Sequence, residues 1–450
     1  MKYQKYLPHV SAAVGVLLLA ATAVVCNRLG HGGPQDHVWV ALVLFALAGL
    51  AALLVWLESR CVKWALMALL PIGLGMLLRA LCLDRVTGDL SGFLTNWYNY
   101  FADNGGFAAI AHSVGDYNVP YLYFIAAISY LRMPAIYLYK LFSILFDVLL
   151  AWGCFRLVRS LKGTQRGVAA PLAAFSLALL LPTVVVNGAY WAQCDAIYGA
   201  LAVHAASLAL DGKDCRSVLL LGVAFAFKLQ TVFILPLWGV MWLAGRVRFR
   251  ALWMFPLSYL AVIAPAVAMG KPLGDILSVY TTQMGEYPRL TLNAPSIFQL
   301  LPYGTEEAGP ASLLGIAAAA ALVLVMLAVG LRLRDRMDTA VTMTVAVLLV
   351  IGIPFLLPHM HERYFFLADV FTLCWACAQP RRVPVAVLTC GASLASYFVY
   401  LRGRFHIPLQ IGGNKYGMLV EMSAMLLALL WTVCVFIRQL RALPAQDPLK

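Results

Sequence analysis

Residues 217–245 read SVLLLGVAFAFKLQTVFILPLWGVMWLAG, an apolar run broken only by Lys228 and Gln230. A membrane-crossing helix needs about 20 apolar residues, so the run is too long for one crossing and, with an ionisable group at its middle, is read as two short, broken helices meeting near one surface. Similar apolar runs begin near Leu7, His37, Lys63, Pro134, Val168, Asp195, Ala251, Ala311, Thr339, Tyr364, Val383 and Tyr416. Together they predict an all-α, polytopic membrane protein with about 13–14 membrane helices.

Composition agrees. Of 450 residues, 62% are hydrophobic and only 12% charged, and the mean hydropathy is +0.83. Soluble domains carry about twice that share of charge, so an ordinary soluble enzyme, a disordered chain and a nucleic-acid-binding domain are excluded. The net charge of +13 is expected in loops on the cytoplasmic side. Placing Lys2 and Lys5, Arg60 and Lys63, Arg156 to Arg166, Lys213 and Arg216, Arg246 to Arg250, Arg332 to Arg336, Arg381 and Arg382, and Arg438 and Arg441 on that side predicts cytoplasmic termini. It also leaves the N-terminal run as a retained helix, since no convincing small-residue cleavage site follows it. The ten cysteines sit mostly in or beside apolar runs, where cysteine acts as a small hydrophobe, so neither a disulfide nor a metal is assigned to Cys374 and Cys377.

The charge placement requires that Pro120 to Leu131 not cross the bilayer; its aromatics suit a helix lying at the interface. The chain then forms a single membrane domain over residues 1–450, with two extra helices in 1–62 and two large outer loops, 84–133 and 270–310. In the first loop Leu90, Phe93, Leu94, Trp97, Tyr98 and Phe101 fall at helical spacing on one face, predicting an amphipathic helix on the outer leaflet that ends at Gly105 and Gly106. Asp89 just precedes it, either as a helix N-cap or as a general base at the membrane surface. Asp116, Tyr117 and Asn118 read as a turn entering the Pro120 helix.

Polar residues gather on the same side in the later loops. NGAYWAQCD (187–195) carries Trp191 and Tyr190, which suit interface anchors, with Gln193 and with Asp195 as a helix cap or a site residue. Lys228 and Gln230 interrupt a span, and an ionisable group there marks a pathway or an anionic ligand, with snorkelling as the plain alternative. PHMHERYFFLAD (358–369) sets His359, His361, Glu362 and Arg363 at an outward helix start. Glu362 complements the helix dipole; the histidines and Arg363 suit phosphate, which arginine binds bidentately. Their spacing is not that of the HExxH zinc helix. GEYPRLTLNAPSIFQLLPYG (285–304) adds Glu286, Arg289, Asn293 and Gln299 in a lid-like or connecting loop. RGRFHIPLQIGGNKYG (402–417) adds Arg402, Arg404, His406 and Lys415 against the positive-inside rule, which points to an anionic partner outside or to local snorkelling.

The order of an Asp-bearing first outer loop, an N-x-P-Y-L-Y entry, a W-x-Q-C-D-x-x-Y loop and an H-x-H-E-R-Y-F helix start resembles the GT-C superfamily of polyprenyl-phosphate-sugar-dependent glycosyltransferases. Bacterial membrane mannosyltransferase-like proteins and the dolichyl-phosphate-glucose-dependent glucosyltransferases are the nearest echoes, over most of the chain after Lys63. Asp89, Tyr117 with Pro120, and His359 to Arg363 carry the match. The chain departs from it in having Arg363 in place of lysine, a single proline at 120, and two additional N-terminal helices.

The resemblance implies an inverting transferase moving a hexose or pentose from a polyprenyl-phosphate donor to a lipid, glycan or protein acceptor. The reaction would occur on the extracytoplasmic face of a bacterial inner membrane. It makes Asp89 the general base and Lys228, His359, His361 and Arg363 the holders of the donor phosphate. Tyr117, Asn118, Tyr121, Trp191, Gln193, Asp195, Gln230, Asn293 and Glu362 become substrate-binding candidates, with no metal and no cofactor. A lipid-linked glycan polymerase or ligase, and a lipid or solute transporter, are the competing readings.

Overall fold

The computed structural model describes residues 6–163, 167–285, 288–305 and 309–443, without the side chains of 284 and 285. Lys2, Lys5, Arg166 and Glu286 lie outside the described residues. The chain is an integral membrane protein, nearly all helical. Among the described residues nine helices are long and apolar enough to cross a membrane, or ten if Ala169–Leu180 and Pro182–Tyr190, bent by 43°, form one span. Several expected runs fold as shorter helices, such as Asp195–Leu210 with 16 residues and Phe366–Ala378 with 13. At a rise of 1.5 Å per residue these reach only about 20–24 Å, less than the ~30 Å hydrocarbon core.

The residues fall into two compact units. The first comprises Met1–Ser207, Arg216–Thr231 and Trp253–Glu286, and the second Leu208–Cys215, Val232–Leu252 and Tyr287–Lys450.

In the first unit, Leu7–Cys26 and Val62–Ala80 cross in close contact. A Cβ added at Gly15 would stand 2.3 Å from the Leu69 carbonyl oxygen, and one at Gly73 would stand 2.4 Å from the Gly15 carbonyl oxygen. Small residues allow such backbone approach between membrane helices.

The amphipathic helix of the first loop forms as a π turn, Leu90–Leu94, running into an α-helix, Thr95–Asp103. It stops at Gly105, whose φ of 81° glycine adopts without strain. Its apolar face is divided: Leu90, Leu94 and Phe101 are buried in the unit while Phe93 is exposed. The expected surface helix is therefore partly packed into protein. The same holds for Val119–Ile128, where Tyr121, Leu122, Ile125 and Ala126 are buried. Ten residues cannot cross a bilayer, and these find cover within the unit instead.

One helix organises this region. Ala135–Lys162 carries Tyr137, Lys140, Ser143 and Asp147 at helical spacing on one face. Tyr137 donates to Asp84 Oδ1 at 2.8 Å. Lys140 Nζ donates to the carbonyls of Cys82, Leu83 and Arg85 at 2.9, 2.8 and 2.7 Å. Ser143 donates to the Gln193 carbonyl at 2.8 Å. Asp147 accepts from Arg79 Nε at 2.9 Å, with both side chains fully buried. A single polar stripe thus fixes the backbone leading to Asp89 and the loop carrying Gln193.

In the second unit, Gly309–Arg332, Thr339–Leu356, Phe366–Ala378, Val383–Arg402 and Leu419–Ala442 supply the helices. Thr339–Leu356 is buried almost throughout. Its N-cap is Asp338, whose carboxylate accepts from the Val341 amide at 2.8 Å. Two-residue strands Thr291–Leu292 and Met360–His361 pair in parallel, Thr291 with Met360 and Leu292 with His361.

Candidate functional site

The sequence breaks predicted at Lys228 and around Asn187 decide the local geometry of the first unit. The helix Asp214–Phe227 ends just before Lys228, and a 3-10 turn, Leu229–Phe233, follows. A second π turn, Val186–Tyr190, delivers the chain to Trp191. Among the described residues both π turns of this unit thus abut a candidate residue, Asp89 in one case and Trp191 in the other; such turns often occur at functional sites.

Asp89 does not use its side chain as a cap; its backbone is already helical, and it makes no capping hydrogen bond. Instead Oδ2 accepts from Trp191 Nε1 at 2.9 Å and from Gln193 Nε2 at 2.6 Å. The residue between those donors, Ala192, has φ of +64°. That left-handed conformation is costly for a residue with a Cβ, and it persists here where the surroundings over-determine it. Thr87 bonding to the Trp191 carbonyl at 3.3 Å, Gln193 N to the Asn187 carbonyl at 2.8 Å, and Ser143 to the Gln193 carbonyl supply that restraint.

From Gln193 the contacts continue. Tyr117 Oη donates to Gln193 Oε1 at 3.4 Å. The Tyr117 ring lies 4.7 Å from that of Tyr121 and 5.6 Å from that of Trp97. Lys228 Nζ stands 5.8 Å from the centre of the Tyr117 ring and 5.9 Å from that of Tyr198. It makes a buried ion pair with Asp195, whose other oxygen accepts from Asn187 Nδ2 at 2.6 Å. Asp89, Tyr117, Tyr121, Trp191, Gln193, Asp195 and Lys228 therefore form one continuous cluster.

Two candidates of this unit have other surroundings. Asn118 is buried; its Oδ1 accepts from the Val119 amide at 2.8 Å, and its Nδ2 donates to Tyr280 at 3.1 Å and Tyr259 at 3.3 Å. These contacts cap a helix and tie it to neighbours. Gln230 is buried, and its Oε1 has no hydrogen-bond partner among the described residues.

The second unit gathers the remaining candidates. His359 donates its backbone amide to the Leu290 carbonyl at 2.8 Å, and Glu362 to the Leu292 carbonyl at 3.0 Å. His359 Nδ1 lies 2.8 Å from the Arg289 carbonyl oxygen, and Nε2 lies 3.4 Å from Ser312 Oγ. Asn293 bridges to His361. Both His359 and Asn293 have positive φ, 62° and 57°. Glu362 is buried, and Arg363 Nη1 stands 3.8 Å from its Oε1. The stretch from Arg289 to Asn293 and the His359–Arg363 stretch thus meet in a short ladder.

The first cluster offers a half-buried carboxylate oriented by two neutral donors, beside an ammonium-carboxylate pair and a set of aromatic faces. A carboxylate so held is suited to accept a proton from a hydroxyl at a defined angle, and aromatic faces suit the C–H surface of a sugar ring. Among the described residues there is no group of three or more His, Cys, Asp or Glu able to hold a metal ion.

The sequence reading passed over Arg79, Lys140, Ser143 and Asp147, which hold the cluster in place. The available signal was two ionisable residues, Lys140 and Asp147, two turns apart within a run otherwise read as a plain span. No protein-family model matches the chain, and no curated protein matches it.

Proposed function

We propose that the protein is an inverting glycosyltransferase that takes a sugar from a polyprenyl-phosphate donor and acts through the Asp89 cluster. The observation that carries this reading is the oriented carboxylate: Asp89 Oδ2 is held by Trp191 and Gln193. In the proposed step, Asp89 takes the proton of an acceptor hydroxyl while that oxygen bonds to the anomeric carbon. The bond from that carbon to the phosphate oxygen breaks, and its electron pair leaves with polyprenyl phosphate. Base assistance of this kind is worth about 10²- to 10⁴-fold in rate.

Lys228, with Tyr117 and Tyr198 around its ammonium, is the cation of this unit suited to developing phosphate charge, which fixed charges stabilise without reorganisation. Its present partner, Asp195, holds it in position. In the second unit His359, His361 and Arg363 are the side chains to which the same reading gives phosphate recognition, arginine being the bidentate member. The acceptor is a lipid, glycan or protein hydroxyl, and the reaction is placed on the extracytoplasmic face.

The test is to present the purified protein with a panel of polyprenyl monophosphate sugars and of diphosphate-linked donors, and to follow released lipid phosphate. Release from a monophosphate donor, lost in Asp89→Asn, is the expected result. Turnover only with diphosphate donors would replace this reading by a glycan polymerase or ligase. Movement of lipid or solute without sugar transfer would replace it by a transporter.

A further inference from the structure

The chain between Pro380–Arg402 and Leu419–Ala442 joins two helices that are each long and apolar enough to cross a membrane, so it must emerge at a bilayer surface. It folds there as an antiparallel hairpin with Leu409 opposite Tyr416, Gln410 opposite Lys415 and Ile411 opposite Asn414. Gly412 and Gly413, at φ of 58° and 84°, form the turn, which requires positive φ at both central positions. Side chains alternate across such a ribbon. Leu409, Ile411 and Tyr416 therefore share one face, and Gln410 and Lys415 the other.

Two features of this hairpin suit a charged, apolar-backed surface better than bulk water. Ile407 is 49% exposed and Ile411 59%, an apolar surface on the edge of an isolated hairpin. Arg402, Arg404 and Lys415 are also exposed, and none forms a salt bridge among the described residues. From Pro380 to Val420 the sequence has no Asp or Glu. The cations lean on rings instead: Lys415 stands 5.3 Å from the centre of the Phe405 ring and 5.9 Å from that of Tyr303, and Arg402 stands 5.2 Å from Phe398.

We propose that the 402–416 hairpin is a docking element for the anionic phospholipid of the leaflet at which it emerges. Ile407 and Ile411 enter the boundary between headgroups and acyl chains, Arg402 and Arg404 lie over lipid phosphates, and the long Lys415 side chain reaches round from the other face of the ribbon to the same phosphate layer. Charge complementarity selects this occupant. A zwitterionic surface would cover the isoleucines but offer the three cations only phosphates already balanced by choline, whereas an anionic leaflet adds net negative charge to the same apolar cover, as it does for amphipathic basic segments in general.

The full-length protein in nanodiscs of phosphatidylcholine, with or without phosphatidylglycerol, tests this through hydrogen exchange of the amides of residues 405–416. Phosphatidylglycerol is expected to slow exchange about tenfold in the wild type. Raising salt to about 1 M, where the Debye length is ~3 Å, is expected to remove that protection. The Arg402→Gln/Arg404→Gln/Lys415→Gln variant should exchange alike in both lipids, and Arg402→Lys/Arg404→Lys should keep the wild-type response. Equal exchange of the wild type in both lipids would overturn the proposal. So would protection by glycerophosphate added to phosphatidylcholine nanodiscs, which would mark a discrete anion site, or protection only on adding an acidic soluble protein. Should the glutamine variant fail to fold, the lipid and salt comparisons on the wild type decide the matter alone.

Discussion

Gln193 donates from Nε2 to Asp89 Oδ2 at 2.6 Å across 104 residues of sequence. That bond joins the 84–133 loop to the 187–194 loop, and it makes the orientation of the carboxylate depend on a loop that does not carry it. Asp89→Asn keeps the size of the side chain and an oxygen that can accept from Trp191 and Gln193, but removes the charge and the capacity to take up a proton. Under the proposed function, turnover should fall by about 10²- to 10⁴-fold, while binding of the lipid-phosphate sugar, followed separately by equilibrium titration, is retained. Normal turnover in this variant would remove Asp89 from the reaction.

Asp195 and Lys228 should behave as a coupled pair. Both are buried, and removing one partner leaves a buried charge unbalanced. Asp195→Asn or Lys228→Met alone is expected to cost about 3–5 kcal/mol in stability, and the double variant much less than the sum. Unfolding of the purified single and double variants in detergent gives the cycle. Additive losses would show that the pair is not coupled.

These residues also show what the sequence could reveal. Lys228 was legible because a charge inside an apolar run is expensive, and the helix does end just before it, at Phe227. Asp89 and Gln193 were legible as polar residues in loops. The bond between them was not, since it depends on the 187–193 loop closing over the helix Ala135–Lys162. A Cβ at Gly188 would come within 3.2 Å of Asp147 Oδ2, and periodicity carries no record of that approach. The packing of the Val119–Ile128 helix against protein was not legible for a related reason. Its aromatic residues read equally well as interface anchors or as packing, and the Asn118 contacts that draw it inward are non-local. In the second unit, the ladder of Thr291–Leu292 with Met360–His361 is too short to leave an alternating pattern in either segment.

Ala192 tests whether the turn between Trp191 and Gln193 is held under strain. It is buried, with φ of +64°. Ala192→Gly relieves the left-handed conformation and should change stability by no more than about 1 kcal/mol. Ala192→Val adds a β-branch at the same φ and should destabilise by about 1–3 kcal/mol. It should also weaken transfer by displacing the two donors of Asp89. Equal stability of the two variants would show that the backbone conformation there carries no cost.

In the second unit Asp214 accepts from the Arg248 side chain at 2.6 Å and 2.5 Å and from its amide at 3.1 Å. These bonds, the side-chain ones first, hold the Asp214 carboxyl well below the usual carboxylate range. A depressed folded-state pKa contributes stability that is present above the unfolded value, about 3.9, and is lost as pH falls toward the folded one. Wild-type stability should therefore decline below about pH 4 more steeply than that of Asp214→Asn. Thermal unfolding from pH 7 to pH 3 checks this, and parallel curves would remove Asp214 from the acid response. Arg248 is 54% exposed, so solvent screening keeps the effect small.

Lys140 separates support of the site from the chemistry proposed for it. Its ammonium satisfies three carbonyls, those of Cys82, Leu83 and Arg85, in the segment just before Asp89. Lys140→Met fills the same volume with an apolar chain and leaves those oxygens without their donor. Each unsatisfied buried carbonyl costs about 1–3 kcal/mol, but the exposed part of the segment can recover water by opening. The expected outcome is local: faster hydrogen exchange and protease cleavage within residues 82–94, with the Leu7–Cys26 and Val62–Ala80 helices still protected. Transfer should fall through poorer orientation of Asp89, so Lys140→Arg, which restores a multiple donor, should recover part of it. If Lys140→Met left exchange in 82–94 unchanged, the polar stripe of the Ala135–Lys162 helix would not be what holds Asp89 in place.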